Sequence, residues 1–223
     1  MQAEDSGIDD ATSETGGGEG QPGHSRVAGL LLAAGEGSRL GRPKALVEIG
    51  GRTLAERAVA LLRDGGADPV VMVTGAAQVS LPGVITAHNP DWQTGMGSSL
   101  REGLQTLPAD RDAVVIALVD QPLIGPEVVR RLIAAFTHGA EVAVACYAGQ
   151  PRNPVLISRA HWAEAAAAAQ GDAGARGFLR SSRDLVTAVE CGDLGRPDDL
   201  DTPEDLDRIA ALVLGQDQAA DHG

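Results

Sequence analysis

Aromatic residues make up only 2% of this 223-residue chain: two Phe, two Trp and one Tyr. Hydrophobic residues reach 43%, so the core must be built from Val, Leu, Ile and Ala, which suits helices packed on a parallel sheet. Cysteine is equally scarce. Cys146 and Cys191 are far apart and lack CxxC spacing, which argues against a disulfide framework or a zinc site and fits reduced thiols in or near strands. The five histidines form no ligand-spaced pair. No run of about 18 apolar residues is present to span a bilayer. The first residues lack the basic and apolar regions of a secretory signal, and a cytoplasmic location is the expectation. Positive charge is also short: 18 Lys and Arg stand against 31 Asp and Glu, a formal charge of -13 that argues against a nucleic-acid binder.

Six of those acids (Glu4, Asp5, Asp9, Asp10, Glu14 and Glu19) lie in residues 1–25, which hold no Lys or Arg; without them the charge is -7. This segment also contains Gly16-Gly17-Gly18 and almost no apolar residues. It cannot bury enough surface to offset its ordering entropy, so a disordered acidic extension is expected there. Residues 215–223 share that composition and read as a flexible C-terminal tail, leaving one domain over 26–214.

Within the domain, strand and helix patterns alternate. Val27 to Ala34, Val70 to Thr74 and Ala113 to Val119 are apolar runs of the kind buried in parallel sheets. Thr53-Leu54-Ala55-Glu56 is a capping box opening a helix to about Asp64. Ser99 and Glu102 can cap a second helix to about Leu107, and Pro126 suits the first turn of a third, ending near Gly139. Strands are expected at Val84 to Ala87, Glu141 to Tyr147, Pro154 to Ile157 and Val186 to Val189. A further helix is expected from His161 to Ala169, and a closing one with Thr202 as N-cap. This alternation implies a three-layer α/β domain with a mostly parallel sheet.

The stretch from Leu31 to Lys44 says most about function. An apolar strand breaks into a loop holding Gly35, Gly37 and Gly41, followed by cations at Arg39 and Lys44. Glycines let backbone N–H groups approach an anion, and the two cations differ in shape, a planar fork and a point charge. That combination suits a triphosphate. A dinucleotide fold would want GxGxxG opening directly into a helix, but Pro43 interrupts here, and no Gly-Lys-Ser/Thr tripeptide of a phosphate-binding Walker loop occurs. Ligands of open parallel sheets bind beyond the carboxyl ends of the strands. Gly35 follows one strand and Asp120 directly follows another, so the fold can place both at one edge.

The segment from Leu32 to Leu46 resembles the signature of nucleotidyltransferases with a Rossmann-like fold, including nucleotide-sugar pyrophosphorylases. Four more segments narrow the match: Asn89-Pro90-Asp91-Trp92 with Gly95-Met96-Gly97-Ser98-Ser99-Leu100; Val119-Asp120-Gln121-Pro122; Gly171-Asp172-Ala173-Gly174-Ala175-Arg176; and Asp201-Thr202-Pro203-Glu204-Asp205-Leu206. Together, over about Val27 to Leu214, they resemble the molybdenum cofactor cytidylyltransferases and their guanylyltransferase relatives. Three departures stand out. Leu40 replaces the usual methionine, Arg152-Asn153-Pro154-Val155 stands where relatives often carry Gly-His-Pro-Val, and the acidic extension has no counterpart.

The resemblance implies a three-layer Rossmann-like nucleotidyltransferase fold and a Mg²⁺-dependent transfer of CMP from CTP to molybdopterin, releasing pyrophosphate. It implies Asp120 as the Mg²⁺ ligand, and Lys44 and Arg39 as phosphate contacts. The backbone from Leu32 through Ala33, Ala34 and Gly35 to Gly37 would hold the nucleotide. Asp199 and Asp201 are two apart, which aligns them on one face of extended chain. One of them, Asp201 in preference, completes the metal site, unless Asp201 and Thr202 simply start the last helix. Ser98 and Ser99 lie at a helix N-terminus and either cap it or help bind nucleotide or the incoming phosphate. Arg176 falls on the acceptor side, where it can hold the pterin's phosphate. CTP is expected over GTP because cytidylyl members typically read Leu-Ala-Ala-Gly, as Leu32 to Gly35 does, and guanylyl members Leu-Ala-Gly-Gly. The implied partners are the nucleotide, the molybdopterin-type acceptor and a molybdoenzyme or its chaperone. A transferase for another phosphorylated acceptor, or a non-catalytic cofactor-delivery protein, are the rival readings.

Overall fold

The computed structural model describes residues 25–220. Apart from Ser25, the expected acidic extension lies outside the described residues. At the centre is a seven-stranded sheet built from β1 (Val27–Leu32), β4 (Val70–Thr74), β5 (Ile85–His88), β6 (Ala113–Leu118), β7 (Val142–Tyr147), β8 (Gln150–Ser158) and β9 (Val186–Glu190). A separate two-stranded hairpin, β2 (Glu48–Ile49) and β3 (Arg52–Thr53), leads into α1 (Leu54–Asp64). The spatial order is β5-β4-β1-β6-β8-β7-β9. All neighbours are parallel except β8, which runs antiparallel to both β6 and β7.

The apolar runs are buried on both faces, and alternate residues feed two cores. Val27 and Leu31 of β1 join Val115 of β6 under α1, α3 (Pro126–Thr137) and α6 (Pro203–Ala220). Leu30 and Ile116 face the other way, against α2 (Met96–Thr106), α4 (Trp162–Ala168) and α5 (Arg176–Ser181). Helices therefore cover both faces, giving the three-layer α/β arrangement expected from the alternation. Completely buried Leu62 and Leu100 each contribute about 1.5–3 kcal/mol of hydrophobic stabilisation.

Local signals set several elements. The Thr53 hydroxyl accepts the Glu56 N–H at 3.1 Å, and the Glu56 carboxylate accepts the Thr53 N–H at 2.7 Å, a complete capping box on α1. Pro126 occupies the first turn of α3. Three expectations need correction. α2 begins at Met96, not near Ser99, because Gly95 breaks the preceding turn at φ 107°. The strand expected at Pro154 to Ile157 is nine residues long and pairs back on β7, because only Ala148 and Gly149, both at positive φ, separate the two. A turn that short forces an antiparallel pair. The tail expected from residue 215 is helix as far as Ala220. Buried Ile209 and Val213 anchor it, and Arg57 holds Asp217 at 2.7 Å while also donating to the Ile49 carbonyl. These contacts outweigh the roughly 1 kcal/mol that Gly215 costs inside a helix. Among the described residues, no helix is long and apolar enough to cross a membrane.

Candidate functional site

The loop after β1, the turn after β6 and the segment before α6 meet at one sheet edge, beside a cleft of about 460 Å³. That volume suits a small-molecule ligand. Leu32, Ala34, Gly35 and Gly37 line it from the first loop, with Lys44, Ser99 and Asp120. Among the described residues, the N–H groups of Gly35, Glu36, Gly37 and Ser38 donate to no protein acceptor. Gly37 cannot be replaced without rebuilding the loop: it sits at φ 64°, and a Cβ there would lie 2.2 Å from the Arg42 carbonyl oxygen.

Four charged side chains converge from distant parts of the sequence. Lys44 Nζ donates to Asp120 Oδ2 at 2.7 Å and to Asp201 Oδ1 at 2.5 Å, and Arg39 donates to Asp201 Oδ2 at 2.8 Å. Lys44 and Asp120 are largely shielded, whereas the Arg39 side chain is 68% exposed at the rim. Burial works against the Lys44 charge, but the adjacent Asp120 and Asp201 carboxylates outweigh it and hold the ammonium above the ordinary lysine range. The Lys44 hydrogen bond holds the Asp201 carboxyl below the usual carboxylate range, against partial burial and with help from Arg39.

Asp201 does not cap α6. Thr202 does: its hydroxyl accepts the Asp205 N–H at 3.2 Å, while the Asp205 carboxylate accepts the Thr202 N–H at 3.1 Å. This leaves the Asp201 side chain for Lys44 and Arg39. Asp199 turns instead to Gln121, whose Nε2 donates to its Oδ1 at 2.8 Å. The Asp199 carboxyl is pushed up, first by desolvation, although the residue as a whole is exposed; the Gln121 bond opposes this, and the Asp120 and Asp201 charges add to it.

The donor set fits a divalent cation that completes its shell elsewhere. Asp120 Oδ1 is buried and has no hydrogen-bond partner among the described residues, so one carboxylate oxygen remains free beside Asp201. Among the described residues, no three or more His, Cys, Asp or Glu are placed to hold a metal ion together. Two carboxylates without a cage suit Mg²⁺, which keeps waters and takes phosphate oxygens.

Other sequence candidates sit differently. Ala33 is a core residue whose N–H donates to the Val73 carbonyl, and it does not line the cleft. Ser98 is buried; its hydroxyl donates to backbone carbonyls, at 2.8 Å to Gly95 and 3.0 Å to Asp91, and accepts the Asn89 amide at 2.8 Å. The same amide donates to Ser99 at 3.0 Å. Arg176 is exposed and outside the cleft lining, donating to the carbonyls of Asp172 at 2.8 Å and Ala173 at 3.3 Å in its own loop.

Sequence reasoning singled out neither Asn89 nor Gln121. Each is an uncharged polar residue inside a quoted motif: Gln121 follows Asp120 in the chain, whereas Asn89 meets Ser99 only through the fold. Glu36, Trp92, Met96 and Asp172 also line the cleft. Asp172 gets there because Gly95 lets the two loops touch: a Cβ on Gly95 would lie 2.4 Å from the Gly171 carbonyl carbon.

The chain resembles proteins of known sequence and structure over most of its length. It is 38% identical over 197 residues to nicotine blue oxidoreductase of Paenarthrobacter nicotinovorans, covering 82% of this chain and 96% of that protein. A shorter match, 52% identical over 54 residues, is to a probable molybdenum cofactor guanylyltransferase of Opitutus terrae and covers 24% of this chain and 27% of that one. The crystal structure of the Mycobacterium sp. strain JC1 homologue of Mycobacterium tuberculosis Rv0371c superposes with a TM-score of 0.77 at 33% identity, over 86% of this chain and 99% of that one. Rv0371c itself, solved in complex with manganese, gives 0.67 at 28% identity, over 84% and 99%. A family profile covers residues 29–186, the span that carries the glycine loop, Lys44 and Asp120, and by that match the chain belongs to the MobA-like NTP transferase domain family.

Proposed function

We infer that this nucleotidyltransferase transfers CMP from CTP to a molybdopterin-type phosphorylated acceptor and releases pyrophosphate. The observation that carries this reading is Lys44, held between Asp120 and Asp201 in the wall of a cleft whose glycine loop offers unpaired N–H groups. In the reaction, a phosphate oxygen of the acceptor attacks the α-phosphorus. The bond to the β-phosphate oxygen breaks, and pyrophosphate departs with the electron pair. The nucleophile is already anionic at neutral pH, so no strong base is needed. The obstacle is two anions approaching while charge grows on the leaving group, which positioned cations offset.

The N–H groups of Gly35 to Ser38 bind the triphosphate, and Lys44 offsets charge near the α-phosphate. Arg39 holds Asp201 and reaches phosphate from the rim. Ser99 lines the nucleotide pocket, and Ser98 holds the turn before α2. Mg²⁺, held by Asp120 and Asp201 together with triphosphate oxygens, would neutralise charge on the nucleotide and the departing pyrophosphate.

CTP is favoured because Ala34 lines the cleft, and a methyl group at that position leaves less space for a purine than glycine would. One methyl group is worth only about 1–3 kcal/mol of discrimination, so hydrogen bonds to the base must add to it. The match to a guanylyltransferase makes GTP the natural competitor. A molybdoenzyme or its chaperone would receive the product.

The near full-length similarity to nicotine blue oxidoreductase supports a second reading, an oxidoreductase that uses the same cleft. One experiment separates them. Pyrophosphate release is measured with each NTP and a molybdopterin acceptor, alongside oxidation of NADH and NADPH by reducible heteroaromatic substrates. The highest kcat/KM is expected with CTP, and Ala34→Gly is expected to gain activity with GTP. A higher kcat/KM for GTP overturns the CTP assignment. Reductase turnover without pyrophosphate release overturns the whole reading.

A further inference from the structure

A buried amide stands behind the two carboxylates. Gln121 directly follows Asp120 and is only 6% exposed, yet it does not line the cleft. Its Nε2 donates to Asp199 Oδ1 at 2.8 Å, across 78 positions of sequence. Its Oε1 is buried with no hydrogen-bond partner among the described residues. Asp199 lies two residues before Asp201, so this bond joins the turn carrying one carboxylate to the segment carrying the other. A main-chain bond joins the same segments: the Leu200 N–H donates to the Asp120 carbonyl at 2.9 Å. The main-chain bond sets how closely the segments approach. Farther along the same segments, the Arg196 N–H donates to the Leu123 carbonyl at 3.2 Å and Ile124 bridges Gly195; the Gln121 bond adds a side-chain tie next to the two carboxylate-bearing residues themselves.

A buried amide with an unsatisfied oxygen costs stability, as does a third carboxylate placed near two others. A need for orientation accounts for both, because carboxylates that hold a metal are themselves fixed by neighbouring hydrogen bonds.

We propose that Gln121 and Asp199 are positioning residues whose hydrogen bond holds the Asp120 and Asp201 carboxylates in register for one divalent cation, with Asp199 acting as an acceptor and not as a ligand. This rests on the reading that Asp120 and Asp201 hold the metal.

The test is direct titration of Mn²⁺ into the full chain without nucleotide, following the free-ion electron paramagnetic resonance signal. Melting temperature and metal-free nucleotide affinity are measured in parallel. Gln121→Met and Asp199→Ala remove the bond and are expected to weaken Mn²⁺ binding about 10–100-fold, with nucleotide affinity unchanged. Asp199→Asn keeps an acceptor oxygen and is expected to escape most of that loss. Folded Gln121→Met with wild-type Mn²⁺ affinity overturns the proposal. So does Asp199→Asn as weak as Asp199→Ala, which would make the charge the active property. Should Gln121→Met fail to fold, the exchange of donor and acceptor in Gln121→Glu with Asp199→Asn decides. Wild-type affinity is expected there, and a loss like that of Asp199→Ala overturns the proposal. Asp120→Asn with unchanged Mn²⁺ affinity would sink the metal reading itself, and this proposal with it.

Discussion

The proposed nucleotide side, in the cleft, and the proposed acceptor side, outside the cleft lining, are held together by different kinds of contact. On the side assigned to the nucleotide, Lys44 bonds to Asp120 and Asp201, 76 and 157 positions away, and Lys44 and Asp120 are mostly shielded from water. On the side assigned to the acceptor, Arg176 bonds to carbonyls three and four positions back and remains exposed. Long-range contacts exist only when the domain is folded, and they arrive pre-oriented. Local contacts hold a turn in shape and leave the surface free to suit its ligand. Chemistry common to a family belongs in the first kind of setting, and acceptor choice in the second.

Removing a charge from the shielded side gives the largest effect. Lys44→Met and Asp120→Asn are each expected to lower the rate of pyrophosphate release about 10²–10³-fold, the loss typical of a transition-state charge contact. Lys44→Met should also bind Mn²⁺ more tightly than wild type without nucleotide, since it lacks the ammonium between the two carboxylates. Wild-type turnover in either variant would erase the contrast between the two sides.

The exposed side should respond weakly. Arg176→Ala is expected to change kcat less than about threefold, as surface substitutions generally do, with any effect appearing in the acceptor KM. A loss as large as that of Lys44→Met would mean that Arg176 leaves its own carbonyls and joins the reaction.

The smallest effect concerns the anchor of α6, which orients Asp201. Hydrogen bonds from Arg208 and Thr202 lower the Asp205 carboxyl from 3.8 to about 2. Because the folded-state value is depressed, this contribution is complete above 3.8 and is lost as pH falls toward about 2. Asp205→Asn should therefore melt below wild type at pH 7, with the gap closing over that acidic interval. Thr202→Ala should cost about 1 kcal/mol, as loss of an N-cap does. A pH-independent gap between Asp205→Asn and wild type would contradict the assignment.

What was legible in the sequence follows from the range of the interactions. The capping box at Thr53, Pro126 at the start of α3 and the apolar runs of β1 and β6 are local signals, and the elements appear where those signals lie. β8 was seen only in part, because Pro151 and Pro154 interrupt its pattern and its first residues are exposed. The end of α6 was missed because composition around Gly215 carries no trace of Arg57, 160 positions from Asp217. In the site, the glycine loop, Lys44 and Asp120 were readable from their motifs. The preference for Asp201 over Asp199 came from the resemblance, since two-residue spacing by itself treats them alike.

By itself the sequence determined the α/β class, the two buried central strands and the glycine loop that follows the first of them, because steric freedom and apolar burial act within a few residues. Only the tertiary structure decided that Asp201 meets Lys44 while Asp199 meets Gln121, that Arg176 turns back on its own loop, and that Asp172 reaches the cleft wall. Those outcomes depend on directed bonds a few ångströms long between segments far apart in the chain. Such a bond is set by the orientation of both backbones at once, which no single stretch of sequence contains.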